Sequence, residues 1–293
     1  MSNTLLQALL DGIAIGAVYG LIALGLSLQF GVMKIINFAH GAFMMIAMYV
    51  ALWTSGYLGL HLMLVMPLVM AILFVVGFGT QRILIEPIMR REVAREPISV
   101  LIFTAGLWIF LDNLFLVIAG PDNQAPAGDW SYQLLLVGDL IFTYPQIAGF
   151  VISVLVTVTL MLFMRSTRLG RAIRATGQDR EAASVLGIDS STIFQISFAI
   201  GLGVLGVAGV LMLGIMPVDP FIGDFYGLLA FVIVILGGLG SIGGALIGGI
   251  LVGIIESVGG QLMPVSYAHA LIFVLFLGVL YFRPSGLFGL EDS

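Results

Sequence analysis

The chain has 293 residues, of which 60% are hydrophobic and only 9% charged, with a formal net charge of −5 and a mean hydropathy of +1.16. A soluble domain carries about 25% charged residues, so this composition excludes a water-soluble globular protein and indicates a chain embedded in lipid. The absence of cysteine excludes disulfides and cysteine nucleophiles, and the three histidines (His40, His61, His269) lie far apart in sequence, so neither a metal nor a cofactor is expected.

Apolar runs long enough to cross a bilayer follow one another along the chain. A spanning helix needs about 20 mainly apolar residues, and backbone groups in lipid must be paired internally, which favours helices. The predicted spans are Asp11–Phe30, Ala42–Ser55, Leu60–Gly79, Ile98–Ala119, Pro145–Met164, Ile193–Leu213, Leu228–Ser257 and Ala268–Phe282. The sequence therefore predicts one transmembrane domain over residues 1–293, an all-α polytopic membrane protein with eight or nine transmembrane helices. The side on which the N-terminus lies stays open.

Two of these regions are broken by glycine-rich segments. GVMKIINFAHG (Gly31–Gly41) follows the first span, and GGLGSIGG (Gly237–Gly244) divides a run too long for one pass into a short helix and a longer one. The broken regions begin alike, with YGLIALGL from Tyr19 and YGLLAFVI from Tyr226. Such a pair is typical of an internal repeat around a translocation path, although chance similarity between Gly-rich helices explains so short a match equally well.

The arginines indicate the orientation in the membrane. They occur in three places: Arg82, Arg90, Arg91 and Arg95 after the third span, Arg165, Arg168, Arg171, Arg174 and Arg180 after the fifth, and Arg283 after the last. The segments Gly120–Tyr144 and Pro217–Gly227 have none but contain Asp122, Asp129, Asp139, Asp219 and Asp224. Since basic loops stay on the cytoplasmic side, the arginine-bearing loops and the C-terminus are expected to be cytoplasmic.

The longest basic loop, residues 165–191, contains a short predicted helix. Asp179 is a candidate N-cap and Gly187 a candidate C-terminal stop. Between them Ala182, Val185 and Leu186 fall at i, i+3 and i+4, which forms one small apolar face. A helix this short is marginal in water unless it packs on something. The loop is therefore either a docking element for a partner or a solvated connector.

This loop resembles the EAA motif of permease subunits of bacterial ABC importers. The residues that carry the resemblance are Glu181, Ala182, Ala183 and Gly187, and in that family the loop forms the coupling helix that inserts into a cleft of the ATPase subunit. Three further segments look like the branched-chain amino-acid permeases, the smaller, LivH-type subunit in particular: GLSLQFGVMKIINFAHGAF from Gly25, GGLGSIGGALIGG from Gly237 and FRPSGLFG from Phe282. The resemblance covers nearly the whole chain. It implies ATPase-coupling roles for Arg180, Glu181, Ala182, Ala183, Leu186 and Gly187.

The resemblance also implies a set of partners in the bacterial inner membrane. A second homologous permease subunit would complete the path, two ATP-binding subunits would bind the coupling loops, and a periplasmic substrate-binding protein would deliver Leu, Ile or Val. The sequence supports a separate ATPase, because a P-loop needs the pattern GxxxxGK[ST]. The only lysine is Lys34, which follows Met33 rather than glycine. The permease itself is therefore expected to be non-catalytic.

Polar residues in apolar segments mark candidates for the translocation path. A charge at a helix centre costs about 2.5–3.5 kcal/mol on insertion scales, so each such residue needs a reason. The candidates are Gln29, Asn37, His40, Asp112, Asn113 and Glu256. They either screen the charges of a zwitterionic amino acid during passage or hydrogen-bond neighbouring helices.

Other functions remain open from the sequence alone. A related ABC permease for urea, short amides or a sugar shares these motifs, because nothing in the chain reads the substrate. An ion-coupled secondary transporter needs paired intramembrane carboxylates, for which only Asp112 and Glu256 are available. A membrane scaffold that moves nothing is disfavoured by the broken helices.

Overall fold

The computed structural model describes residues 2–91, 98–126, 134–283 and 286–288, and helices dominate them. Arg95, Asp129 and part of the terminal motif (Pro284, Ser285 and Gly289) lie outside the described residues. The helices are α1 (Ser2–Met33), α2 (His40–Leu58), α3 (Leu62–Gly79), α4 (Glu86–Arg91), α5 (Ile98–Ala119), α6 (Tyr144–Ser166), α7 (Arg168–Gln178), α8 (Arg180–Val185), α9 (Ser190–Ile215), α10 (Ile222–Gly237), α11 (Ile242–Leu262) and α12 (Val265–Phe282). A π-helical turn, Thr80–Ile85, joins α3 to α4.

The transmembrane pattern agrees with the sequence. In the part of the chain that the structure describes, seven helices are long and apolar enough to cross a membrane, and α10 and α12 are shorter apolar helices. These nine helices match the predicted eight or nine crossings. The overlong run is divided at residues 238–241 into the shorter α10 and the longer α11, as predicted. The third predicted span ends at Gly79, as α3 does, but the π-helical turn and α4 continue the helical segment to Arg91.

One small β-hairpin is the exception to the all-α prediction. Strands β1 (Leu134–Val137) and β2 (Leu140–Thr143) pair antiparallel, with Leu134 opposite Thr143. The hairpin turns at Gly138, whose φ is +63°. It lies in the arginine-free segment between α5 and α6, outside the apolar helices.

The core of the bundle is built on close contact between glycine-rich helices. Helix α1 packs antiparallel along α11, so that Gly12 lies beside Gly253 and Gly20 beside Gly249. A Cβ atom added to Gly249 would lie 2.2 Å from the backbone nitrogen of Gly20. In lipid, where apolar burial does not drive association, small residues let backbones approach and gain van der Waals contact. The Gly-rich spacing therefore serves packing within the chain.

The first break returns the chain into the bundle. Lys34 has a positive φ of 56°, and residues 34–37 that follow α1 have no regular structure. Asn37 Nδ2 donates to Gln29 Oε1 at 3.2 Å, and His40 Nε2 donates to the Ile22 carbonyl at 2.9 Å. Because later residues meet earlier turns of α1, this segment runs antiparallel to the end of α1. Helix α2 therefore begins inside the bundle rather than at its end.

The bundle has two ends that differ in charge. The arginine-bearing helices α4 and α7 mark one end, here called the basic end, and the β-hairpin marks the other, here called the acidic end. The start of α1 lies at the acidic end, because Gln7 Nε2 donates to the Ile141 carbonyl at 2.6 Å. The last turns of α1 lie at the basic end, where Gly31 contacts Gly177 of α7. The structure thus places the N-terminus, left open by the sequence, at the acidic end.

Candidate functional site

The predicted coupling loop forms a helix held at its N-terminus by a side-chain cap. Asp179 ends α7 and begins α8, and its carboxylate accepts from the backbone N–H groups of Glu181 at 2.8 Å and Ala182 at 3.0 Å. These donors have no partner inside a helix, so an aspartate cap stabilises its first turn, typically by about 1 kcal/mol. Asp179 is the N-cap that the sequence predicts.

The C-terminus of α8 is closed by glycine. Gly187 has a φ of +82°, its N–H donates to the Ser184 carbonyl at 3.0 Å, and the N–H of Ile188 donates to the Ala183 carbonyl at 3.1 Å. This pair of hydrogen bonds is the Schellman motif, which needs a left-handed residue. Nothing lies within 4 Å of a Cβ built at Gly187. Backbone conformation, not space, therefore requires glycine at this position.

The apolar face of α8 is exposed. Val185 is 86% and Leu186 79% exposed, and Ala182 is exposed beside them, whereas Ala183 is 2% exposed and packs inward. The helix is thus anchored by one alanine while its large apolar side chains point away from the described part of the chain. Burying such a side chain is worth about 1.5–3 kcal/mol. This surface, formed by Ala182, Val185 and Leu186, is called the α8 face below.

Helix α8 is tied to its neighbours by side-chain contacts. The guanidinium of Arg180 lies 5.2 Å from the centre of the Phe194 ring in α9, a cation–π contact worth about 0.5–1 kcal/mol at an exposed site. Asp189 caps α9 by accepting from Ser191 N–H at 3.1 Å. The Thr192 hydroxyl donates to Asp189 at 2.5 Å, and this bond holds the pKa of Asp189 below its ordinary value. Helix α8 therefore has a defined position relative to α9.

Three of the predicted path residues meet in the interior. Gln29, Asn37 and His40 are 1%, 4% and 1% exposed. Asn37 bonds to Gln29 and His40 bonds to Ile22, as described above. In addition, the side-chain carbonyl oxygen of Asn37 accepts from Ala39 N–H at 3.1 Å. Irregular backbone at membrane depth needs such internal partners. These residues form one cluster, and in this conformation their hydrogen bonds hold the first break together.

Asp112 and Asn113 are separated by the turn of their helix. Asp112 is 5% exposed and lies beside Asp224 at the start of α10, whose carboxylate accepts from Trp108 Nε1 at 2.7 Å. Asn113 is exposed, and its Nδ2 donates to the carbonyl of Ile109 four residues earlier. Adjacent positions differ by about 100° around a helix, so only Asp112 belongs to an interior polar group.

Glu256 lies in a second polar group. Its Oε1 is 3.2 Å from His269 Nε2 in α12. The rings of Tyr19 and Tyr226, the first residues of the two YGL segments, lie 5.7 Å apart. The structure therefore brings the beginnings of the two segments together. It does not bring Glu256 together with the cluster of Gln29, Asn37 and His40 through any hydrogen bond among the described residues.

Sequence reasoning missed a polar network at the basic end. Glu86 accepts from Arg90 Nη2 at 2.6 Å, from Gln195 Nε2 at 2.5 Å and from the Ser191 hydroxyl. Glu86 thus joins the start of α4 to the first turns of α9. An acidic residue within a basic, apolar segment was the available signal, but its partners lie more than 100 residues later in the chain.

A multi-pass helical bundle with broken helices and an exposed apolar helix at its basic end defines a membrane transport permease. The family described as "Branched-chain amino acid transport system / permease component" matches residues 8–280, and the chain belongs to this family.

Similar proteins agree with this assignment. The chain is 34% identical to the high-affinity branched-chain amino acid transport system permease protein BraD of Pseudomonas aeruginosa, over 97% of this chain and 95% of that protein. It is 33% identical to the corresponding LivH protein of Escherichia coli, with the same coverage of both chains. A fructose import permease protein, FrcC of Rhizobium meliloti, is 31% identical over 58% of this chain and 50% of its own length. No solved structure matches the chain.

Proposed function

We propose that the chain is a permease subunit of an ATP-driven importer and that the α8 face is the surface on which an ATP-binding subunit docks. The observation that carries this proposal is the exposure of Val185 and Leu186, 86% and 79%, on a helix closed at both ends. A stable, capped helix that presents apolar side chains to solvent is suited to insertion into a groove. Arg180, Glu181, Ala182, Ala183, Leu186 and Gly187 form or position this surface.

The cargo in this proposal is a branched-chain amino acid: Leu, Ile or Val. Relatives with that substrate in their names align over 97% of the chain, whereas the fructose permease aligns over 58%. A sugar is the second candidate, supported only by that shorter alignment. A periplasmic binding protein delivers the solute, and a second permease subunit supplies the other half of the path.

The proposed orientation places the basic end in the cytoplasm and the chain in the bacterial inner membrane. In the described part of the chain every arginine is exposed, and all except Arg283 lie on α4, α6, α7, α8 or the π-helical turn. The positive-inside rule then assigns this end and the C-terminus to the cytoplasm. The N-terminus and the β-hairpin face the periplasm, and residues 1–293 form one transmembrane domain with a cytoplasmic coupling loop at 165–191.

The proposed path uses the predicted polar residues in two ways. Asn113 is exposed and the Glu256 side chain is 22% exposed in this conformation, so both can be reached by a passing solute. The interior members, Gln29, Asn37, His40 and Asp112, are closed off and line the path only when the helices around the first break separate. A zwitterionic amino acid needs both donors and acceptors along its route, and these side chains supply them.

In this proposal two separate subunits hydrolyse ATP. The proposal is therefore tested by measuring how the permease couples ATP hydrolysis to uptake. The purified transporter carrying Glu181→Lys is reconstituted with the binding protein, and leucine uptake and stimulated ATP hydrolysis are both recorded. We expect both to be lost, because reversing the charge beside the α8 face prevents seating of the helix. Arg168→Glu, a charge reversal of the same size and opposite sign on α7 at the same end, should retain both. Normal stimulated ATPase activity in Glu181→Lys would defeat the proposal.

A further inference from the structure

A cavity of about 570 Å³ opens at the basic end between the π-helical turn, α4 and the first turns of α9. Its walls include Phe78, Arg82, Glu86, Arg90 and Gln195. Binding sites for small groups typically have volumes of about 300–1,000 Å³. This space, called the Arg82 pocket below, is separate from the α8 face and from the proposed path.

The π-helical turn creates this pocket. Phe78, Arg82, Glu86 and Arg90 are spaced by four residues, and in an uninterrupted α-helix each such step would rotate by about 40° around the axis. The backbone N–H of Glu86 donates instead to the Gln81 carbonyl, five residues earlier. This wider turn rotates less per residue and therefore offsets the rotation of about 40° per four-residue step. As a result, all four side chains line one cavity. Single π turns occur frequently at functional sites.

Among the described residues, one positive charge of the pocket has no partner. Arg90 donates to Glu86 from Nε at 2.9 Å and from Nη2 at 2.6 Å, so these two charges neutralise each other. Gln195 and Ser191 occupy further positions on the same carboxylate. Arg82 has no hydrogen bond or ion pair within the described residues and is exposed. An anion that enters the cavity therefore meets a free guanidinium, which suits the oxygens of a phosphate.

The depth of Arg82 matches the boundary between hydrocarbon and headgroups. The continuous helical segment Leu62–Arg91 has 30 residues, and the hydrocarbon core is about 30 Å thick, which about 20 helical residues cross. Arg82 is the twenty-first residue of this segment. Counting from the acidic end, the pocket therefore lies where phospholipid phosphates lie.

An apolar surface continues from the pocket toward the middle of the helix. Val75 and Ile83 are 69% and 70% exposed, and Phe78 lies in the pocket wall. Acyl chains can lie along these side chains while the headgroup of the same molecule enters the cavity. A free phosphate would make no use of this surface, so the combination favours a lipid.

We propose that the Arg82 pocket binds the phosphate of an anionic phospholipid headgroup, with the Arg82 guanidinium as its counter-ion. Basic pockets on the cytoplasmic side of membrane proteins attract acidic headgroups, because that leaflet carries the negative surface potential. The headgroup would occupy the space between Arg82 and the Glu86–Arg90 pair.

The test measures retained lipid on the full-length chain in nanodiscs made from phosphatidylglycerol and phosphatidylcholine. Native mass spectrometry counts phosphatidylglycerol molecules bound to the wild type, Arg82→Gln, Arg82→Lys and Arg91→Gln. Arg91→Gln is the matched control. It also removes one positive charge at the basic end, but Arg91 does not line the pocket. We expect Arg82→Gln to weaken phosphatidylglycerol binding about fivefold, Arg82→Lys to retain most of it, and Arg91→Gln to leave it unchanged.

Several outcomes would overturn the proposal. Equal retention of phosphatidylglycerol by Arg82→Gln and the wild type, or equal losses in Arg82→Gln and Arg91→Gln, would show that the pocket is not the site. Equal retention of phosphatidylcholine would remove the requirement for an anion. Inorganic phosphate that displaces phosphatidylglycerol completely would show that the pocket takes free phosphate rather than lipid. Thermal unfolding of each variant establishes that it is folded. Arg82→Lys, which keeps the positive charge, separates loss of charge from a change in the shape of the side chain.

Discussion

Truncation of Leu186 to alanine isolates the apolar contribution of the α8 face to docking. Leu186 is 79% exposed, so the chain alone loses almost no packing when its side chain is shortened. The helix keeps both of its ends, because Asp179 and Gly187 supply the cap and the stop. Any effect therefore arises in the assembled state.

The size of the effect follows from the area that a partner covers. Leu186→Ala removes three carbon groups, and burial is worth about 0.8 kcal/mol for each, or about 2.4 kcal/mol in total. This loss raises the dissociation constant of the ATP-binding subunit about 60-fold. Val185→Ala removes two carbon groups and is expected to raise it less, about 15-fold.

The assay compares binding of the purified ATP-binding subunit to wild-type and variant chains in nanodiscs. Leu162→Ala is the matched control, since Leu162 is 60% exposed on the lipid-facing side of α6. We expect unchanged binding in Leu162→Ala and unchanged thermal stability in both variants. A change of less than about threefold in Leu186→Ala, or an equal change in the control, would refute the docking role of the α8 face.

Three further predictions concern the stop of α8, the glycine core and the path. Gly187→Val should abolish uptake, because a left-handed conformation costs a β-branched residue more than 1–2 kcal/mol, whereas Gly187→Asn should retain most of it; equal uptake in the two variants would contradict this. Gly249→Ala should reduce the folded protein in membranes several-fold, since its Cβ would meet backbone at 2.2 Å, while Gly278→Ala, with nothing within 4 Å, should not. Glu256→Gln should slow leucine uptake per assembled transporter without lowering its amount, and unchanged uptake would remove Glu256 from the path.

Local features of the coupling loop were predictable from the sequence. A cap and a stop act within four residues, so Asp179 and Gly187 could be assigned without knowledge of the fold. The apolar spacing of Ala182, Val185 and Leu186 also indicated one face correctly. Its exposure was not predictable, because that depends on whether α7 and α9 cover it.

Features that depend on distant contacts were not predictable. The sequence predicts the end of the third span at Gly79, where α3 ends, but not the π-helical turn and α4 that continue the helical segment to Arg91, and not the partners of Glu86 on α9. The π-helical turn leaves no trace in composition or apolar spacing. Asp112 and Glu256 stood out as isolated charges, but their neighbours, Asp224 and His269, come from helices that the sequence alone could not place beside them.

The free-energy cost of exposing an apolar side chain differs between the membrane-spanning helices and the basic end of this molecule. Val117 in α5 is 83% exposed, almost as much as Val185, but it belongs to a spanning helix and is solvated by acyl chains, which are as apolar as valine itself. Val185 belongs to a six-residue helix that follows the arginine-rich α7 at the basic end. Water is the solvent there, and exposure of the same side chain costs free energy that only a protein surface can recover. The requirement for a partner therefore rests on Val185 and Leu186 rather than on the larger apolar surface of the spanning helices.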